Sequence, residues 1–264
     1  SHLSRMSIQT PDSVEAIQTC VQEYQQLRVV GNRTKTGLIE QSSDAAQISL
    51  SQLTGIIEYE PAEYTFTAYA GTPVHEVQEA LRENQQYLPC DPLLVEAGAT
   101  LGGSLAANLS GSRRYRYGGL RDFILGLRVV DGVGQHFRCG GKVVKNSAGF
   151  DLPKFFVGSL GAYGLITEAT FKVFPEPPVF KSVRLPYPAL SDVLDALYYL
   201  NQQPFELDAL DIEQYDGQWV LLARFGGTAA ILPERLKRFV TALAQHSAVE
   251  THQSVADDAA IWQA

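Results

Sequence analysis

The stretch "ATLGGSLAANLSGSRRYRYG", residues 99–118, constrains the fold most. It holds four glycines and three alanines, and three arginines close it. Glycine weakens both helix and strand, so this composition predicts neither. It predicts main chain laid bare, with N–H donors free for phosphate and carbonyl oxygens. Gly102 and Gly103 are read as points of close approach and of positive φ. Arg113, Arg114 and Arg116 can balance a diphosphate or an acidic substrate. The same residues fit a packing seam beside a solvated basic loop, and this stretch alone does not separate the two.

A second segment suited to an anion is "GNRTKTG", Gly31 to Gly37, which follows the apolar "LRVV". Consecutive backbone N–H groups in such a turn form an anion-binding nest. Neither G-x-x-x-x-G-K-[ST] nor G-x-G-x-x-G occurs there, which sets aside the common nucleotide loops. By itself it reads more readily as an ordinary surface turn.

The net charge of −8 argues against a nucleic-acid surface. No apolar run approaches the length of a membrane-spanning helix, and "SHLSRMSIQT" lacks the apolar core of a signal peptide. Cys20, Cys90 and Cys139 fit neither a disulfide framework nor a zinc site, and the five histidines show no metal spacing. No metal is expected, and a reducing cytoplasm is the default location, with any membrane association arising through partners.

Apolar spacing predicts a helix in "PDSVEAIQTCVQEYQQ", capped at Asp12 with Glu15 completing a capping box. Strands are expected at "LRVV", "AAQISLSQL" and "GIIEYEP", then strand, turn, helix and strand through "YTFTAYAGTPVHEVQEALRENQQYLP". "FILGLRVVDGVGQHFRCGG" reads as a hairpin turned at Asp131-Gly132. Pro175, Pro177 and Pro178 mark a boundary. Beyond them a β-α-β-β-α order predicts helices layered on an antiparallel sheet, with Ser191 as a helix cap and Asp216-Gly217 as a turn.

"AGTPVHEVQEAL", "ATLGGSLAANLSG" and "GGKVVKNSAGFDLPKFFVGSLGAYGLITE" together resemble the PCMH-type FAD-binding domain of the vanillyl-alcohol-oxidase superfamily. The resemblance is strongest to the FAD-binding E subunits of bacterial glycolate oxidases. It implies an α+β fold with two α+β subdomains, about 7–60 and 61–178. Part of a smaller α+β cap or substrate domain follows at 179–264. It implies FAD held by Gly31, Asn32, Arg33, Thr34 and Lys35 at the diphosphate, and by Gly71 and Thr72. It also implies contacts from Ala99, Thr100, Leu101, Gly102, Gly103, Ala106, Asn108, Ser110 and Gly111, and from Gly164 and Ile166 through backbone. Arg113, Arg114 and Arg116 become candidates for a substrate carboxylate.

The sequence departs from the family in three places. Its "GFDL" puts Phe150 where members carry tyrosine. Its first loop has no histidine, so the flavin is expected to be non-covalent. Members continue beyond "AAIWQA" to an Asn-Pro-Gly-type segment, so this chain is either a piece or a short form. The implied activity is oxidation of a small 2-hydroxy acid, glycolate first, to a 2-oxo acid. The implied partners are a paralogous flavin subunit and an iron–sulfur subunit. No residue is identified as the catalytic base. A non-catalytic flavin subunit, and a dehydrogenase for D-lactate or another 2-hydroxy acid, are the alternatives.

Overall fold

The computed structural model describes residues 8–38, 45–142, 151–247, 253–254 and 261–262. Contacts divide the chain into two units, Ser1–Gly111 with Gly119–Pro175, and Ser112–Gly118 with Glu176–Gln263.

In the first unit, β1 (Ile8–Gln9), β2 (Leu27–Val30) and β3 (Ala46–Ser49) form a parallel sheet in the order β1-β3-β2. Helix α1 (Val14–Glu23) connects the first two and buries Ile17 and Val21. Its cap is Ser13 and not Asp12. Ser13 is extended (φ −142°), and its Oγ accepts from the Ala16 N–H at 3.3 Å, satisfying one of the helix's open donors.

Five antiparallel strands make the second sheet of this unit. They are β4 (Ile56–Glu60), β5 (Thr65–Tyr69), β7 (Ile124–Val130), β8 (His136–Gly140) and β9 (Leu165–Lys172), in the order β4-β5-β9-β7-β8. Residues 56–60, which the sequence reading placed in the first subdomain, therefore pair in this second sheet. Pairing β4 with β5 and β5 with β9 sets Phe66 opposite Phe171, and their rings stack at 5.4 Å. Such aromatic pairs hold register across strands. The β7–β8 hairpin closes through residues 131–135, a longer turn than Asp131-Gly132 alone. The Asp131 carboxylate accepts from the N–H groups of Val133 and Gln135 at 3.0 and 2.9 Å, which fixes the loop. Helix α2 (Val74–Arg82) buries Val74, Val77 and Leu81 as its apolar spacing predicts. Short strands β6 (Gln86–Tyr87) and β10 (Phe174–Pro175) pair with each other, and helix α5 (Leu152–Phe156) precedes β9.

The expectation that residues 99–118 form neither helix nor strand is overturned. Leu101–Ala107 is helix α3, and Arg114–Tyr117 is the one-turn helix α4. Two devices offset the glycines of α3. Thr100 caps its start, accepting from the Gly103 N–H at 3.1 Å, and Asn108 closes its end in the left-handed region at φ 52°. Tertiary burial of Leu101, Ser104 and Leu105 then outweighs weak propensity.

In the second unit, β11 (Val179–Tyr187), β12 (Ala209–Tyr215), β13 (Gln218–Gly227) and β14 (Gln253–Ser254) form an antiparallel sheet in the order β12-β13-β11-β14. Helices α6 (Leu190–Leu200) and α7 (Leu232–His246) share its core, where Tyr187, Phe225 and Phe239 are buried. Asp216 and Gly217 both take positive φ, 50° and 75°, as a two-residue hairpin turn requires. Ser191 does not cap α6. Ala189 stands at the cap, and the Asp192 carboxylate accepts its N–H at 3.1 Å.

Candidate functional site

A cleft in the first unit is built from three segments: the loop after β2, the exposed side of α3, and residues 159–166. It spans about 840 Å³ including its solvent-open mouth. Val29, Val30, Leu50, Ala70 and Ile166 give it an apolar floor. The small side of α3, Gly102, Gly103, Ala106 and Ala107, forms one wall, while the larger Leu101 and Leu105 turn into the core.

Local hydrogen bonding positions each segment. Asn32 Nδ2 donates to the Gly98 carbonyl at 2.9 Å, tying the first loop to the approach to α3. The carbonyls at the end of α3 also accept from residues 158 and 160. Gly158 N–H donates to Leu105 O at 2.9 Å, and Leu160 N–H to Ala106 O at 3.0 Å. Leu160 pays for this in backbone conformation, with φ 52°.

The cleft brings together Gly31, Asn32, Arg33, Thr34, Lys35, Thr100, Gly102, Gly103, Ala106, Gly164 and Ile166. Other residues expected at a cofactor do not line it. Thr72 is buried with its Oγ1 on Gly55, Ala99 accepts from Val74 N–H, and Leu101 lies in the core. Gly71 is buried against the carbonyls of Leu50 and Leu53, and Gly111 donates to Asp91 O. Asn108 and Ser110 also stand outside the lining. The expectation of positive φ at Gly102 and Gly103 is corrected, because both sit inside α3. Arg113, Arg114 and Arg116 belong to the second unit. There Arg113 Nε lies 3.2 Å from the fully buried Asp208, and Arg116 lies 4.0 Å from Glu206. Phe150 lies outside the described residues.

Sequence reasoning did not assign Ala70, Ser159, Leu160 and Gly161 to the site, nor the apolar Val29, Val30, Leu38, Leu50 and Ala107 of the lining. A signal for the α3 wall was present: small residues at 102, 103, 106 and 107 recur at helical spacing.

Among the described residues of the lining, Arg33 and Lys35 are the only ionisable groups. Arg33 is exposed and donates to Gln47 Oε1. Lys35 is half-buried, with Nζ 3.3 Å from Thr34 Oγ1, and burial pushes its ammonium below the ordinary lysine range. This end of the cleft therefore attracts anions and offers no proton acceptor of carboxylate or imidazole type.

Three observations fit FAD. The backbone N–H groups of residues 32–35 donate to no described residue, and Arg33 takes φ 59°, as in an anion nest. At Gly31 a Cβ would stand 2.5 Å from Thr100 Oγ1, so only glycine keeps this corner open. On the lining itself, the Ser159 Oγ is buried without a hydrogen-bond partner, a state that needs an explanation such as a ligand. Among the described residues no cluster could hold a metal ion, and no helix is long and apolar enough to cross a membrane.

The sequence model of the FAD binding domain family matches residues 8–140. The chain is 40% identical over 156 residues to glycolate oxidase subunit GlcE of Escherichia coli (strain K12), covering 59% of this chain and 44% of that protein. It is 31% identical over 211 residues to a D-2-hydroxyglutarate dehydrogenase of Xanthomonas citri pv. viticola, covering 78% of this chain and 44% of that protein. The chain thus spans less than half the length of these relatives. In fold it is similar to an alkyldihydroxyacetonephosphate synthase, with TM-score 0.75 and 18% identity over 97% of this chain and 53% of that one.

Proposed function

The chain belongs to the PCMH-type FAD binding domain family, and from that premise we propose that it is the FAD-binding subunit of a glycolate-oxidising complex. The observation that carries this reading is the 40% identity to the GlcE subunit. The matched family region includes the 31–35 loop and the α3 wall of the cleft.

In this reading the open N–H groups of residues 32–35 and the Lys35 ammonium hold the diphosphate. The small side of α3 and the apolar floor take the flat and apolar parts of the cofactor. Gly71, Thr72, Ala99, Leu101 and Gly111 act beneath the site, fixing the segments that line it. When bound, FAD supplies the two-electron acceptor for oxidation of a 2-hydroxy acid to a 2-oxo acid. Arg33 and Lys35, the ionisable groups among the described residues of the lining, are cations placed at the diphosphate end, so proton removal from the substrate hydroxyl falls to another group. The second unit serves as the substrate domain, and a paralogous flavin subunit and an iron–sulfur subunit complete the assembly in a cytoplasmic setting. A second reading, a dehydrogenase for a larger 2-hydroxy acid, is favoured by the longer match to the D-2-hydroxyglutarate enzyme.

Anaerobic mixing of the FAD-loaded chain with glycolate, D-lactate and D-2-hydroxyglutarate, followed at the flavin absorbance, tests these readings. The subunit reading expects little bleaching by the chain alone and rapid bleaching by glycolate once the two partner subunits are added. Rapid bleaching of the lone chain by D-2-hydroxyglutarate would establish the second reading instead.

A further inference from the structure

A second cavity in the first unit lies against the start of α1 and shares no described lining residue with the cleft. It spans about 830 Å³ with its open mouth, and Tyr69 lines it where the next residue, Ala70, lines the cleft. Among the described residues of its lining, Arg128 is the one fixed cation, and the carboxylates are Asp12, Glu15 and Glu168. The Arg128 guanidinium is under-used. Its pair with Glu168 is long, with Nη1 3.5 Å from Oε1, and its Nε is buried without a hydrogen-bond partner. A buried donor in that state calls for an acceptor, and a guanidinium fork matches a carboxylate in both spacing and charge. His136 is not a second cation there. Its Nε2 is committed to Thr167 Oγ1, and burial, then Arg128, hold the ring below its ordinary value and so neutral at about pH 7. The same imidazole feels both Glu168 and Glu15, so carboxylates from β9 and α1 face one space.

An anion alone would satisfy Arg128 and then stand among three carboxylates. A cation alone would leave the guanidinium fork unmet. We propose that this cavity is a second ligand site that takes a small zwitterion, an α-amino acid, with its carboxylate on the Arg128 guanidinium and its ammonium on the carboxylates of Glu15 and Glu168. An α-amino acid carries both charges on one carbon, so a single molecule reaches both members of the 3.5 Å Arg128–Glu168 pair. Gln52, Thr54 and Tyr69 keep the rest of the lining polar, which suits a short or hydroxylated side chain over a large apolar one. The site does not depend on the reading of the cleft as an FAD site.

Calorimetric titration of the full chain with glycine, serine, acetate and methylammonium tests this, each run with and without added FAD. Glycine and serine carry both charges, and the other two probes carry one each. Wild type is expected to bind glycine or serine at least about tenfold more tightly than either single-charge probe, the effect of one further charged hydrogen bond. Arg128→Gln and Glu15→Gln are each expected to weaken the amino acids by about tenfold to a hundredfold. Glu15 is exposed, so Glu15→Gln should melt at the wild-type temperature, which separates lost binding from misfolding even where Arg128→Gln is destabilised. Added FAD is expected to leave amino-acid binding in place, since the two linings are distinct. Acetate binding as tight as glycine would make this a simple anion site and overturn the proposal. Amino-acid binding that survives Glu15→Gln and Arg128→Gln, or that FAD abolishes, would place the ligand elsewhere and overturn it too. So would the failure of wild type to bind either amino acid at millimolar concentration.

Discussion

A Cβ on Gly102 would lie 2.7 Å from the Cβ of Ala70. The two residues meet where α3 crosses the end of β5, and the Gly102 N–H donates to the Ala70 carbonyl at 2.8 Å. Both also line the cleft. This contact lets a helix approach the sheet closely enough to present backbone as a wall.

Gly102→Val is therefore expected to lower stability by about 1–3 kcal/mol through overpacking. Gly103→Val should behave differently. A Cβ there meets only Thr100 Oγ1, at 3.0 Å, and otherwise faces open space on the cleft side. It should reduce flavin content more than it reduces the melting temperature. Thermal denaturation of the apo forms, set beside flavin content after reconstitution, separates the two variants. Full flavin occupancy in Gly103→Val would show that this wall does not face the cofactor.

The second unit depends on Asp208. Its carboxylate is fully buried, with Arg113 Nε at 3.2 Å, Arg224 Nη1 at 3.7 Å and the Tyr117 hydroxyl at 3.4 Å. Phe180 stacks beneath both guanidiniums, at 5.6 and 3.9 Å. Removing the charge takes this carboxylate from the buried Arg224 and the partly buried Arg113, at a cost of about 3–5 kcal/mol. Asp208→Asn should loosen residues 112–118, and trypsin should cleave after Arg113, Arg114 or Arg116 faster than in wild type. An unchanged digestion pattern would show that other contacts hold this segment.

His136 should make the first unit sensitive to acid. Burial, and then the nearby Arg128, hold its imidazole below the ordinary value, against the opposing pull of Glu168 and Glu15. Its Nε2 meets Thr167 Oγ1 at 3.0 Å, and that hydroxyl donates to the Arg128 carbonyl, so the ring nitrogen is the donor. With the folded-state value depressed, the stabilising contribution is present above about pH 6.5, the unfolded value. It is lost as pH falls through the folded value. The melting temperature of wild type should drop more between neutral and mildly acidic pH than that of His136→Gln. Equal drops would assign the acid sensitivity to other groups.

FAD is expected to leave the protein on acid precipitation. Among the described residues, the cleft lining contains no histidine, cysteine or tyrosine to form a covalent link to the flavin. A yellow pellet with a colourless supernatant would contradict this.

Local sequence determined much of the secondary structure. Apolar spacing set α2 and its buried Val74, Val77 and Leu81, and Asp216-Gly217 set a turn because both residues tolerate positive φ. The "GNRTK" segment was legible as a polar loop after a strand, because its polarity and turn-prone residues are local properties. Tertiary structure decided the rest. Residues 101–107 became helical because burial of Leu101, Ser104 and Leu105 and capping by Thr100 outweighed two glycines. Arg113 went to a buried carboxylate 95 residues away, a partner that no local spacing could announce. Which of the small residues line the cleft was likewise set by which face of α3 packed on Ala70. Burial is a sum over contacts distant in sequence, and it acts only once the chain has folded.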